Sequence, residues 1–359
     1  MRVALVYDRV NKWGGAERVL LALHELFPQA PLYTSVYDLS KASWARVFPQ
    51  VIPSFLQKLA FLRGKHEYLA PLMPIAFESF IFDEFDLVIS VTSEAAKGII
   101  TKPGTFHICY CLTPTRYLWS LQDFYFKGAF KKITQPLVSY LRSWDKVAAQ
   151  RADLMVAISA AVQNRIKSYY DRDATIIYPP VETSHPFLDT AIHISVPSNF
   201  FLIVARLVPY KKVDLAVEVF NRLGYPLIIV GTGSQERSLR RLAKANIKFV
   251  GQLTDRDLAL YYKKCRALIF PQEEDFGMVA LEAQAWGKPV IAFAGGGARE
   301  TVVPGKTGLF FEQQSLGSLE KTMISFQTMV FDPKDCIKNA GFFSKARFKK
   351  QFLALVKKI

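Results

Sequence analysis

Two glutamates, Glu274 and Glu282, are separated by seven residues that include Phe276-Gly277 and open a run with helical spacing. Ahead of them the apolar stretch 267–270 reads as a buried strand that ends at Pro271. Glu273-Glu274-Asp275 forms an acidic loop, and Gly277 lets the backbone approach a ligand closely. Over 278–286, Val279, Leu281, Ala283 and Trp286 recur at helical spacing. Gly287 suits the helix end, and Pro289 prevents its continuation. A second apolar strand, 290–293, leads into Gly295-Gly296-Gly297. A loop ahead of a helix offers unpaired N–H groups and a positive dipole end, which suits a phosphate. A carboxylate repels phosphate but is a good acceptor for sugar hydroxyls. A ligand with a diphosphate between two sugars uses all these features, so the pattern implies a nucleotide sugar. The competing reading is an ordinary strand–turn–helix with surface carboxylates.

The cations that such a ligand needs follow another apolar run, 200–205, in Arg206-Leu207-Val208-Pro209-Tyr210-Lys211. Fixed positive charge at a strand end stabilises a leaving diphosphate. Near the start of the chain a strand over 2–7 leads into Gly14-Gly15 and a helix, again an anion-site pattern or a plain tight turn. This loop does not fit G-x-G-x-x-G. After the apolar 107–111 run, Arg116 and Tyr117 are candidate acceptor or phosphate contacts, or parts of an aromatic-packed loop. His107 reads as a satisfied core histidine. D-x-D occurs at 171–173 on a polar loop and at 255–257 at a helix start; both are assigned to structure.

Glu274-x7-Glu282, with Phe276-Gly277, Ala280-Leu281-Glu282-Ala283 and the Gly287-Lys288-Pro289 that follows, resembles the E-x7-E signature of retaining glycosyltransferases of family GT4, the glycosyl transferases group 1. The resemblance implies that Glu274 binds donor-sugar hydroxyls and Glu282 the ribose. Arg206 and Lys211 match the family's R-L-x-P-x-K diphosphate cations. Gly14-Gly15-Ala16-Glu17 is similar to its loop near donor phosphate and acceptor, and Val250-Gly251 to its border with the nucleotide base. Cys109-Tyr110-Cys111 through Trp119 resembles the C-Y-C-H-T-P-x-R-Y-x-W of a subgroup with bacterial polysaccharide mannosyltransferases. Asp275 stands where the family has Gly, and Leu112 where it has a His that reaches the donor sugar. An apolar side chain cannot donate that hydrogen bond: the role is lost, donor selectivity differs, or another group serves. The expected catalytic groups are Glu274, Arg206 and Lys211. Gly15, Phe276, Gly277, Met278, Val279, Glu282, Gly231, Val250 and Gly251 complete the expected donor site, and Gly14, Arg116 and Tyr117 are the acceptor-side candidates. No metal motif and no cofactor is expected; cations and helix ends carry the leaving-group charge.

Buried strands alternate with helices twice over, which predicts an α/β chain of two parallel sheets. The resemblance makes this GT-B, two Rossmann-like domains facing across a cleft. The expected domains are 1–185 on the acceptor side, a linker at 186–199, a nucleotide-sugar domain at 200–340, and a C-terminal helix at 341–359 that packs back on the first domain. Half of the 359 residues are hydrophobic, enough for large cores, yet no apolar run reaches the ~20 residues of a membrane span. Four cysteines without a disulfide framework fit a reducing cytoplasm. The net charge of +15 favours an anionic partner. No nucleic-acid motif accompanies it, so nucleic-acid binding rests on charge alone. Segments 39–66 and 124–144 are basic and aromatic. An amphipathic helix at 54–62 and a lid-like helix in the second segment can lie on an anionic membrane surface, or be solvated faces over a core. The expected reaction moves a hexose, mannose favoured, from GDP-mannose to a lipid-linked cell-surface glycan. It is placed in the cytoplasm, peripheral on the inner face of the plasma membrane. The alternatives are a non-catalytic nucleotide- or glycan-binding module and a retaining hydrolase or phosphorylase.

Overall fold

A computed structural model describes residues 1–59, 66–126, 128–183 and 196–359. The chain forms two compact units, 1–180 together with 348–359, and 181–347. Most of the expected linker at 186–199 lies outside the described residues, as does the end of the expected 54–62 helix. The part of that helix which is described is a single 3-10 turn, Phe55–Lys58, opened by Ser54 accepting from the Leu56 amide.

In the first unit the strands are β1 (Val3–Tyr7), β2 (Leu32–Thr34), β3 (Val51–Pro53), β4 (Leu87–Thr92), β5 (Phe106–Cys111), β6 (Leu154–Ala157) and β7 (Thr175–Ile176). The second unit has β8 (Phe201–Val204), β9 (Leu227–Val230), β10 (Ile247–Gly251), β11 (Ala267–Phe270), β12 (Val290–Phe293) and β13 (Gly308–Phe311). The sheet orders are β3-β2-β1-β4-β5-β6-β7 and β10-β9-β8-β11-β12-β13, and every pairing is parallel. Parallel strands carry helices on both faces, so they read as continuous apolar runs. In β8, Phe201 and Ile203 join one core with Phe220 and Phe326, while Leu202 joins the opposite core with Tyr262 and Phe270.

Both orders reverse beside the first strand of the sheet, between β1 and β4 and between β8 and β11. In open α/β sheets a ligand binds beyond the carboxyl ends at such a reversal. Side-chain caps fix the starts of two helices: Ser159 accepts from the Val162 amide and Thr254 from the Asp257 amide. The helix expected over 278–286 runs Met278–Ala285, but its buried residues form more than one stripe. It contacts β11 and β12 and also the helix Pro333–Gly341. Gln284, buried between them, donates to the Thr301 carbonyl at 2.8 Å and accepts from Asn339 at 2.6 Å. The last helix, Lys345–Val356, sets Phe348 and Phe352 against Tyr110 of β5, at 5.9 and 6.3 Å between ring centroids.

Candidate active site

Beyond β8 the chain leaves through Arg206 into a 3-10 turn, Pro209–Lys211, whose first proline needs no amide partner. Lys212 then adopts a left-handed conformation (φ 52°) and starts the helix Val213–Leu223. This reversal turns Lys211 inward, and the side chain is nine-tenths buried. Its ammonium forms an ion pair with Glu274, which follows β11. Thus the two groups meet from either side of the strand-order reversal in the second sheet.

The backbone of Glu274 is held as well. Its carbonyl accepts from the Gly297 amide at 2.8 Å, and it bridges to Gly296. Gly296 is left-handed (φ 56°), and a Cβ there would sit 2.1 Å from the Glu274 carbonyl oxygen, so a side chain is excluded. Gly277 is also left-handed (φ 94°) and directly precedes Met278, the first residue of the helix. The glycine-rich loops after β11 and β12 therefore clamp the acidic segment against the sheet edge.

The other expected donor residues lie in the same unit. Arg206 is exposed and donates to the Tyr210 hydroxyl at 2.5 Å, while the Lys211 ammonium stands 5.3 Å from the Tyr210 ring centre. Tyr210 therefore ties the two cations together. Glu282 accepts from the Tyr262 hydroxyl at 2.8 Å. The Gly231 amide donates to the Gly251 carbonyl at 2.7 Å, where the β9–β10 register shifts around Val250. The ring of Phe276 is buried 5.6 Å from that of Phe343, so its side chain serves packing. Met278 and Val279 form the half-buried first turn of the helix.

Gly14, Gly15, Arg116 and Tyr117 belong to the first unit. The helix Gly15–His24 opens at Gly14, and beneath it lies buried Glu17, which accepts from the Tyr7 hydroxyl at 2.6 Å. Burial first, and Glu17 second, raise the Tyr7 pKa well above its usual value. Arg116 and Tyr117 are half-buried in a segment anchored by Asp145. Asp145 accepts from Thr115 at 2.9 Å, Trp119 at 2.7 Å and Tyr170 at 2.7 Å, and pairs with buried Lys97 at 2.5 Å. Burial pulls the Lys97 pKa down, but Asp145 outweighs it and the net shift is upward.

The two D-x-D stretches have local roles. Asp171 ends the helix Ala160–Tyr170, and both Asp171 and Asp173 pair with Lys167 at 3.4 and 3.3 Å. Asp255 and Asp257 occupy the first turn of the helix Asp255–Lys264. All four cysteines are buried free thiols. No helix among the described residues is long and apolar enough to cross a membrane.

The two reversed parallel sheets define a GT-B fold. Over its whole length the chain aligns with 99% of sucrose-phosphate synthase from Thermosynechococcus elongatus, at a TM-score of 0.75 and 17% identity. Residues 188–341, within the second unit, match the family model described as glycosyl transferases group 1. Among curated relatives, the O-antigen chain mannosyltransferase C of Escherichia coli is 29% identical over 174 residues, 45% of each chain. A GDP-mannose-dependent monoacylated alpha-(1-6)-phosphatidylinositol monomannoside mannosyltransferase of Corynebacterium glutamicum is 38% identical over 136 residues, 33% of this chain and 35% of that one. The chain spans about half or less of the length of these relatives.

Proposed function

We propose that the protein is a retaining glycosyltransferase that moves a hexose from a nucleotide diphosphate sugar to a glycan hydroxyl. The observation that carries this reading is the Lys211–Glu274 pair at the strand-order reversal of the second unit. Donor binding exchanges that pair for two better-matched ones: the Lys211 ammonium takes the diphosphate, and the Glu274 carboxylate takes sugar hydroxyls. Arg206, held by Tyr210, adds a second cation for the diphosphate, and Glu282 accepts from the ribose. As the glycosidic bond to the diphosphate breaks, negative charge grows on the leaving oxygen. Lys211, Arg206 and the amino end of the helix Met278–Ala285 stabilise that charge.

Mannose from GDP-mannose is the favoured donor, and a lipid-linked cell-envelope glycan the favoured acceptor. The support is partial similarity to relatives whose names carry those terms. Acceptor contacts are assigned to Gly14, Arg116 and Tyr117. We place the enzyme in the cytoplasm against the inner face of the plasma membrane. On the helix Gly128–Ala148, Ile133, Leu137, Tyr140 and Val147 share one face and are exposed, with Lys131, Lys132 and Lys146 on the same helix. Such a face binds an anionic bilayer by apolar burial and charge together. Flotation with phosphatidylglycerol vesicles tests this: I133E with Y140E is expected to leave the protein at the bottom of the gradient. Flotation of that variant like wild type would refute the assignment.

Leu112 supports a second reading, a nucleotide- or glycan-binding module without turnover. Its side chain is half-buried and apolar, and cannot hydrogen-bond a sugar. Release of GDP from GDP-mannose in the presence of lipid-linked acceptors separates the two readings. The E274A and K211A variants then test the residue roles.

A further inference from the structure

Gln272 lies between the end of β11 and Glu274, in a segment with little freedom. The Pro271 carbonyl accepts from Gln314 at 2.8 Å, and the Glu274 carbonyl accepts from the Gly297 amide at 2.8 Å. Gln272 is 2% exposed. Its amide nitrogen faces Glu274 Oε1 at 3.5 Å, a long contact to the same oxygen that pairs with Lys211. Its Oε1 has no hydrogen-bond partner among the described residues. A buried acceptor left without a donor is destabilising, because it has given up its hydrogen bonds to water. Packing does not require this cost, because methionine has nearly the same length and shape and carries no amide.

We propose that Gln272 is a positioning and selectivity residue of the donor site. Its amide nitrogen orients the Glu274 carboxylate, and its carbonyl oxygen accepts a hydrogen bond from a hydroxyl of the transferred sugar. The proposal rests on the reading of Glu274 as the sugar-binding carboxylate. It assigns Gln272 to the sugar and not to the diphosphate, which is the task of Lys211 and Arg206.

The test is Q272M, compared with wild type and E274A, in calorimetric binding of GDP-mannose, UDP-glucose and the two free nucleoside diphosphates. Q272M is expected to melt at or above the wild-type temperature, since it deletes an unpaired buried acceptor. Its affinity for the nucleoside diphosphates should be unchanged. For the sugar nucleotide that wild type prefers, affinity should fall about tenfold, the worth of one buried hydrogen bond. Q272N, which keeps the amide on a shorter stem, should melt below Q272M, because it retains a buried amide and leaves a small cavity, and should bind between it and wild type. Wild-type sugar-nucleotide affinity in Q272M would overturn the proposal, as would a parallel loss of nucleoside diphosphate binding. If E274A also keeps sugar-nucleotide affinity, the reading of Glu274 fails, and the proposal with it. If E274A loses that affinity and Q272M does not, only the proposal fails.

Discussion

Lys211 and Glu274 each hold the other's charge, and this has a consequence for affinity. Replacing Glu274 by Gln removes the counter-ion of Lys211 while keeping the side-chain shape. The ammonium is then more available to an incoming phosphate. We expect E274Q to bind GDP about three- to tenfold more tightly than wild type, by roughly 1 kcal/mol of released competition, while sugar transfer is lost. Equilibrium titration with GDP measures this, and unchanged or weaker binding would contradict the pairing. The positions of Lys211 and Glu274 were legible in the sequence because each follows a strongly apolar strand and stands next to turn residues of fixed meaning, Pro209 and Gly277. Their direct contact was not legible. It depends on the strand order that brings β8 beside β11, which no local spacing encodes. Tyr210, Gln272 and Tyr262 were missed for a related reason: as single polar or aromatic residues in apolar surroundings, they look like packing until their partners are known.

At the scale of elements, the first unit is held by two buried polar devices. Asp145 joins the helix Gly128–Ala148 to the Thr115–Trp119 stretch, to Tyr170 and to Lys97. D145N would leave the Lys97 ammonium buried against a neutral amide. The expected destabilisation is about 3–5 kcal/mol, read from urea unfolding. A change below about 1 kcal/mol would mean that the pair is not buried as described. The second device is His107 on β5, fully buried, with Nε2 2.8 Å from Ser90 Oγ. Burial, with a smaller contribution from Arg172, lowers its pKa to about 3. The unfolded chain has a value of about 6.5 and so binds more protons between these limits. The stability that neutral His107 contributes is complete above about pH 6.5 and is lost as pH falls towards 3, at up to about 1.4 kcal/mol per pH unit. Urea midpoints measured across this range should fall with pH in wild type and less steeply in H107Q; parallel slopes would contradict the assignment. The sequence shows His107 as a core residue through its strand setting. It gives no sign of the Asp145 hub, whose four partners come from three separate segments.

For the whole molecule, the apolar runs were the most legible feature. Each of the strands β8, β9, β11 and β12 coincides within a residue with an apolar run bounded by Gly, Pro or charge. Shorter or more mixed elements drifted further. The stretch 234–245 is helical only over Glu236–Leu242, because the Gln235 amide is drawn to the Leu207 carbonyl and Ala243 is already extended. The β-branched run that starts at Thr175 pairs as a strand only at Thr175–Ile176 before the chain enters its proline pair. Charge was legible as a total but not as a pattern: the excess of cations coexists with a Gly14–Gly15 loop that covers a buried carboxylate.

The central claim is that Lys211 and Glu274 act on one activated sugar. Its most direct test is GDP release from GDP-mannose with lipid-linked acceptors, by wild type, K211A and E274A, each shown to be folded by thermal melting. The account predicts acceptor-dependent release by wild type and a loss of at least about a hundredfold in both variants. Near-normal turnover by either folded variant would contradict it.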